Sequence, residues 1–501
     1  MDPEKRDASH AESVANSADH DDAIRRDPQG LPVIPQPSSH QDDPLNWHPA
    51  RKLIVAIQVS WLALLTLLAS AAPNPSFVLM SKTFGLSVKE ISYELTVFLI
   101  FAGVGPLAIV PFANAYGRRP VYLVGTLITA VTSIAAGFCD TWAGIMVTRV
   151  FSGLAAGWVT SMGAATICDM YFVHQRGVYL GIYTLSMTSG PHVAPLVGGF
   201  VAQSLGWRAC FYIPGYLQIG TFVVILFCLP ETRYSAKHSS APNRYVEQSY
   251  IQNITFRNRK VPGGRPCRMD FARPFRMLKL FAVVVPAISY MTCFAYGTVL
   301  FALTGAHFFT DIYGFTTAQT GLMLSIPLLI GGVIGEFSAG WVTDWLSNRY
   351  ARTHNGERLP EARLTAIWGA LLVPVGVIIE GVCLSHSDTV PWIGSAFGMG
   401  IANVGLQIAT TTIYAYTTDC YKAQSAEIST VLNVFRQICS FPLSFYAIPF
   451  TERVEIQYAW LTFAMAVLVT WIPVLLLKYY GSRLRSMPSQ KIVPVHPSNS
   501  N

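Results

Sequence analysis

The feature that most constrains this chain is a series of apolar segments, each long enough to cross a lipid bilayer. A helix needs about 20 mostly apolar residues to span the hydrocarbon core. The chain has 501 residues, and only 13% of them are charged, whereas about 25% is usual in soluble domains. We predict an all-α membrane protein with twelve transmembrane helices in two six-helix bundles. The predicted spans are 53–72, 91–112, 120–138, 142–165, 178–202, 209–229, 281–303, 319–342, 364–385, 391–415, 427–449 and 456–478.

The polar segments around these spans set the domain boundaries. The first fifty residues are rich in Asp, Ser, His and Pro and contain no signal-peptide core, which is typical of a disordered tail. Nine cysteines occur without a C-x-x-C pair, so we expect no metal site, and no cofactor is expected. The predicted parts are tail 1–50, bundle 51–229, irregular linker 230–278, bundle 279–480 and tail 481–501.

The charges of the loops predict the orientation. Cytoplasmic loops carry an excess of Lys and Arg. With the N-terminus in the cytoplasm, the inner side receives Arg118, Arg119, Arg176 and the basic linker, while the outer loops hold only Lys82, Lys89, Arg208 and Arg453. Both termini are therefore predicted to be cytoplasmic.

A charged residue within the fourth predicted span is a candidate for a role in transport. Arg149, Gly153 and Gly157 follow an i, i+4, i+8 pattern and share one helix face. A charge in the middle of a span costs about 2.5–3.5 kcal/mol on insertion scales. We expect Arg149 to face a cavity or an acidic partner, and the alternative is that it extends to the outer surface.

Two further motifs predict elements that gate the pathway. The loop 114–120 contains a glycine turn that places two arginines at the inner surface, and the fifth span repeats small residues with two prolines. Small residues permit close helix approach, and proline bends a helix. Asn114 follows Gly105 as Asp344 follows Gly335, which indicates a weak repeat of the two halves. The predicted gating residues are Asn114, Gly117, Arg118, Arg119, Asp344, Gly190, Pro191, Pro195, Gly198 and Gly199.

Polar and aromatic residues within the spans are candidates for the substrate cavity and for energy coupling. A carboxylate in an apolar span can carry a proton. Glu336 is our first candidate for that role and Glu94 the second. The candidate cavity residues are Gln58, Trp61, Tyr183, Tyr290, Tyr296, Asn403, Gln407, Asn433 and Arg436.

Together these motifs resemble the major facilitator superfamily. Segment 114–120 is similar to its signature loop, Arg149 to its span-four motif, and segment 190–199 to the span-five motif of antiporters. Segments 43–47 and 356–364 resemble the fungal members of the twelve-span drug:proton antiporter family. The signature loop normally has an acidic residue where Asn114 stands, so the resemblance implies weaker charge pairing at that gate.

The resemblance implies a proton-coupled exporter of drugs, toxins or secondary metabolites in the plasma membrane. A second interpretation is a proton-coupled importer of polyamines or other organic cations, because Tyr421, Glu427, Asn433 and Arg436 resemble such permeases. A receptor or enzyme is a remote alternative, since the sequence lacks P-loop, H-E-x-x-H and G-x-S-x-G motifs. The expected partners are a small-molecule substrate, protons and the lipid bilayer, without nucleic acid, and the protein is expected to be monomeric.

Overall fold

The computed structural model describes residues 36–37, 43–233, 268–353, 359–421 and 424–487. These residues contain twelve long helices and no strand. The outer and inner sides are named here by the orientation that the loop charges predict. The helices are α1 Pro49–Ala71, α2 Val88–Tyr116, α3 Arg119–Phe138, α4 Trp142–Met170, α5 Val173–Leu205, α6 Ala209–Cys228, α7 Phe281–Tyr313, α8 Thr317–Thr353, α9 Pro360–Ser385, α10 Ile393–Cys420, α11 Ser425–Val454 and α12 Ile456–Ser486.

Ten of these helices are long and apolar enough to cross a membrane by length and composition. Helices α5 and α10 are equally long but are not among the ten. Both contain buried polar side chains, including His192 in α5 and Asn403 and Gln407 in α10. They occupy the fifth and tenth positions of the predicted order, so the described chain is consistent with twelve spans. The prediction of an all-α membrane protein is confirmed.

Several helix ends and boundaries differ from the prediction. Helix α12 continues to Ser486, past the boundary predicted at 480, and α8 continues to Thr353. Residues 43–50 of the predicted disordered tail are ordered, because Asp43 accepts a hydrogen bond from the N–H of Leu45 and Lys52 Nζ donates to Leu45 O. The remainder of the predicted N-terminal tail, apart from residues 36–37, lies outside the described residues.

The predicted linker also ends in regular structure. Its last part forms the helix Arg268–Met277, although the prolines and glycines of 230–278 predicted an irregular segment. Phe271 packs against Phe112 of α2, with ring centroids 5.8 Å apart, and Met277 is buried. Apolar contacts with the bundles stabilise this helix despite Pro274. Residues 234–267 of the linker lie outside the described residues.

The twelve helices pack as two bundles of six. Buried apolar side chains of α1 to α6 form the core of the first bundle. Those of α7 to α12 form the core of the second, which continues into buried apolar side chains at the outer ends of α2, α3, α4 and α6. The bundles meet along two helix pairs, α5 with α8 and α2 with α11. Helices α5 and α8 therefore face each other across the boundary between the two bundles.

Glycines bring the outer halves of α5 and α8 into close contact. A Cβ added to Gly199 would lie 2.8 Å from the carbonyl oxygen of Thr317, and one added to Gly321 would collide with the carbonyl oxygen of Pro195. The Gln203 carbonyl Oε1 accepts a hydrogen bond of 3.0 Å from the N–H of Ala318. The bundles are therefore closed against each other on the outer side.

Candidate transport pathway

Arg149 forms a buried ion pair with Glu94. Its Nε donates to a carboxylate oxygen of Glu94 in α2, and the two side chains are 2% and 0% exposed. The Arg149 guanidinium also lies 4.6 Å from the ring centroid of Phe211, which favours the cation. Arg149 thus has an acidic partner and does not extend to the surface. Its role in transport stays a prediction.

The ion pair does not satisfy all of its polar atoms. Arg149 Nη2 and Glu94 Oε1 are buried without a hydrogen-bond partner among the described residues. A buried pair with unpaired atoms regains less of its desolvation cost than a fully bonded one. The two residues are therefore sensitive to any movement of α2 against α4.

Glu231 organises the inner loop between α2 and α3. Its carboxylate accepts hydrogen bonds from the backbone N–H groups of Arg118 at 3.0 Å and Arg119 at 3.1 Å. The first N–H groups of a helix lack partners within the helix and attract negative charge. Gly117 has a φ of +102°, and a Cβ there would collide with Glu231 Oε2. Glycine at this predicted turn therefore leaves room for the carboxylate of Glu231, which follows α6 in the chain.

An ion pair completes this inner cluster. Arg118 Nε lies 2.6 Å from Asp169 at the end of α4. Arg233, next to Glu231, donates to the carbonyl oxygen of Ala113 at 3.3 Å. Burial and the nearby Arg118 lower the pKa of Arg233. The side chain of Asn114 is exposed and carries no charge. The negative charge of this cluster therefore comes from Asp169 and Glu231.

We expect Gly117→Ala to destabilise the protein more than Gly206→Ala. Both glycines have positive φ, +102° and +84°, with nearly equal ψ, so both variants carry backbone strain of about 1–3 kcal/mol. Only at Gly117 does the added Cβ displace Glu231, because nothing lies within 4 Å of a Cβ at Gly206. Thermal unfolding of the purified protein in detergent measures the difference. Equal unfolding temperatures would show that the contact with Glu231 contributes nothing.

The second bundle has its own ion pairs on the inner side. Arg363 pairs with Asp419 at 2.8 Å, and Arg485 pairs with Glu361 at 2.6 Å. They join α9 to α10 and α9 to α12. Asp344 lies in α8, but its side chain is outside the described part of the structure, so its predicted gating role stays a prediction.

The small residues of α5 pack against α1 as well as against the opposite bundle. A Cβ at Gly190 would lie 2.7 Å from the carbonyl oxygen of Leu64, and a Cβ at Gly198 would collide with that of Ala72. Gly199 instead faces α8. Pro191 and Pro195 lie inside the helix, and the carbonyl of Pro195 is the one that Gly321 approaches. Helix α5 therefore contacts α1 through one part of its surface and the opposite bundle through another.

A buried polar junction joins the bundles at His192. Asn403 Nδ2 in α10 lies 3.3 Å from His192 Nε2, and the Ser325 hydroxyl in α8 donates to the His192 carbonyl oxygen. His192 Nδ1 lies 3.2 Å from the Thr188 carbonyl oxygen, which indicates that Nδ1 carries the proton. Thr298, within the π-helical turn Ala295–Val299 of α7, donates to Asn403 Oδ1 at 3.3 Å. The junction therefore links α5, α7, α8 and α10.

Glu336 lies in α8 on the inner side of this junction. Its side chain is partly exposed, and the Thr411 hydroxyl donates to it at 3.4 Å. Among the described residues it has no cationic partner. Glu94, by contrast, is held by Arg149. Glu336 thus differs from Glu94 in that the exchange of a proton would break no ion pair, and its role in coupling stays a prediction.

Several of the predicted cavity residues lie around Arg436. Its Nε donates to Asn433 Oδ1 at 2.8 Å, and its guanidinium lies 4.8 Å from the ring centroid of Phe294. The guanidinium is also hydrogen-bonded to the Tyr290 hydroxyl of α7, and Tyr183 of α5 lies within electrostatic reach of it. Because α5 belongs to the first bundle, this cluster lies between the two halves.

Other predicted cavity residues lie elsewhere. Asn403 and Gln407 are almost completely buried against the glycine face of α8, so they do not line an open cavity. The Tyr296 hydroxyl pairs with that of Tyr446 at 2.8 Å within the second bundle. The indole N–H of Trp61 donates to Thr221 of α6 at 3.1 Å, and Gln58 is partly buried one turn before it. Among the described residues, no hydrogen bond or ring contact joins any of these five predicted cavity residues to Arg436.

The structure adds three functional candidates that the sequence did not predict, namely Asp169, Glu231 and Ser325. Asp169 and Glu231 each stand at the inner end of a span beside a basic loop, and this position was the available signal. Ser325 gave no signal, because a single serine in an apolar helix is common. Among the described residues, no group of three His, Cys, Asp or Glu side chains could hold a metal ion.

Two six-helix bundles with buried charges between their helices are typical of secondary membrane transporters, a class that moves solutes by rocking the bundles against each other. The model of the Major Facilitator Superfamily matches residues 59–444. This chain therefore belongs to the Major Facilitator Superfamily and is a transporter rather than an enzyme.

Relatives and a solved structure agree with this assignment. The chain is 28% identical to the MFS transporter cpaT of Aspergillus oryzae, over 79% of this chain and 80% of that protein. It is 24% identical to the efflux pump radE of Floropilus chiversii, over 89% and 83%. The fold is similar to an inward-facing crystal structure of a bacterial homologue of the human lysosomal transporter Spinster, with a TM-score of 0.61 and 14% identity, covering 89% of this chain and all of that one.

Proposed function

We propose that this protein exports small organic compounds in exchange for protons, across the plasma membrane and with both termini in the cytoplasm. The efflux activity named for radE supports the direction of transport. The proposed coupling of export to protons rests on Glu336. It is a partly exposed carboxylate in a membrane span, with no cation beside it in the described chain.

The geometry suggests how exchange proceeds. With the outer halves of α5 and α8 in contact, a compound enters from the inner side. A proton on Glu336 is released to the cytoplasm as the compound binds. After the bundles rock and the outer side opens, the compound leaves and Glu336 is protonated again. No nucleotide motif is present, so the proton gradient supplies the energy.

We expect Glu336→Gln to abolish transport driven by a pH gradient but to preserve exchange at equal concentrations. Glutamine keeps the shape and the hydrogen bond of a protonated carboxyl group but cannot release a proton. Proteoliposomes allow both measurements, with the first compound that a panel of antifungal agents and fungal metabolites identifies as transported.

Glu452→Gln is the matched control, because Glu452 is exposed near the outer end of α11. It should leave both activities unchanged. If both activities survive in Glu336→Gln, Glu336 is not the coupling carboxylate. Glu94→Gln is then tested in the same two assays.

A further inference from the structure

Arg436 is a cation inside a membrane span without an acidic partner. Its Nε donates to the neutral side chain of Asn433 at 2.8 Å, and in the described part of the chain it forms no salt bridge. A charge in the membrane interior is costly and usually faces a partner or a functional cavity. Among the described residues, Arg436 therefore has the neutral polar partners Asn433 and Tyr290 but no group that neutralises its charge.

The carboxylates of the membrane interior have other neighbours. Glu94 is paired with Arg149, and Glu336 is bonded to Thr411 of α10. Glu380 is 1% exposed and accepts a 3.0 Å hydrogen bond from the indole N–H of Trp460. None of these three neutralises Arg436, so its positive charge remains available to a ligand.

The surroundings of Arg436 are aromatic and come from both bundles. The Phe294 ring lies under the guanidinium, and Tyr290 packs edge-on against Tyr414 with ring centroids 5.7 Å apart. Tyr183 approaches from the first bundle. Arg436, Phe294 and Tyr414 are partly exposed. The site thus combines one partly exposed cation with apolar ring surfaces.

We propose that Arg436 binds an anionic group of the transported compound, while the surrounding rings hold its apolar or aromatic body. The substrate class is then organic acids rather than organic cations. This inference rests on the proposed function only in treating the bound compound as the one transported. A guanidinium offers a carboxylate two parallel hydrogen bonds, and Asn433 holds the side chain by its Nε.

Three compounds that differ mainly in charge test the proposal. They are 3-phenylpropionate, its neutral amide, and the cation 3-phenylpropylamine. The dissociation constant of each is obtained from the concentration dependence of the unfolding temperature of the purified protein in detergent. We expect the carboxylate to bind most tightly and the amine most weakly.

Variants then assign the preference to Arg436. In Arg436→Gln the carboxylate should bind about tenfold to a hundredfold more weakly, and in Arg436→Lys much of the preference should remain. Arg453→Gln is the matched control, because Arg453 is exposed on the same helix, and it should bind like the native protein.

Three results would overturn the proposal. They are a preference for the amine, equal behaviour of all three compounds including no binding by any, or an undiminished preference for the carboxylate in Arg436→Gln. Binding in detergent requires neither a proton gradient nor a direction of transport. The failure of proton-driven export would therefore leave this result intact, and the loss of anion preference would leave export intact.

Discussion

Arg149→Ala is expected to reduce sharply the amount of folded protein in the membrane. The substitution leaves Glu94 as a buried carboxylate without its cation, because the pair is 2% and 0% exposed. Removing one partner of a buried ion pair costs about 3–5 kcal/mol. Arg149→Lys retains the charge but not the planar group over the Phe211 ring, so it should keep its surface level and lose most transport.

Two further variants separate folding from transport. The double variant Arg149→Met with Glu94→Gln removes both charges, so it should recover surface level without recovering transport. Arg208→Ala is the control, because its ion pair with Asp140 has the same chemistry but is 39% and 89% exposed, and exposed pairs contribute little. Surface labelling and uptake of substrate by inverted vesicles measure the two quantities. Normal surface level and full activity in Arg149→Ala would show that the ion pair is dispensable.

Gly321→Ala is expected to hold the transporter open on the outer side and to stop transport. The added Cβ would collide with the carbonyl oxygen of Pro195, and backbone atoms of Gly199 and Pro195 leave no flexible side chain to move away. The outer halves of α5 and α8 could then no longer close. Gly340→Ala, on the same helix with nothing within 4 Å of its Cβ, is the matched control.

Accessibility from outside reports the state of this contact. Ser325→Cys places a thiol at the buried junction between the bundles. In a background without other cysteines, an impermeant reagent should label it in Gly321→Ala and leave it unlabelled in Gly340→Ala. Equal labelling in the two variants would show that the glycine contact does not control closure.

The sequence predicted the helices well, because ten of the twelve carry their own signal of length and hydropathy. It also identified Arg149 and Glu94 separately as charges that need an explanation. It could not pair them, since helical periodicity defines which residues share a face but not which neighbouring helix that face contacts. The contact of residues 55 positions apart depends on the packing of α2 against α4.

The cavity residues were predicted less well for the same reason. Asn403 and Gln407 were recognised as polar residues in a span, but they turn toward glycines of α8 and not toward open space. Trp61 bonds to α6. The contact between Glu231 and the turn at Gly117 could not be predicted from the sequence. Only the folded loop shows that this carboxylate occupies the space that a Cβ would need.

The polar character of α5 bears on how the protein is made. A helix that carries His192 and several hydroxyl groups, and that hydropathy alone does not identify as a span, gains little from contact with lipid when it leaves the ribosome. We expect its stable insertion in the bilayer to depend on α1, which is synthesised earlier and whose chain covers Gly190 and Gly198. The face of α5 that contacts α8 in the folded protein stays exposed until the second half of the chain has been translated. During that interval the newly made first bundle exposes the surface of α5 that contacts the second bundle in the finished transporter.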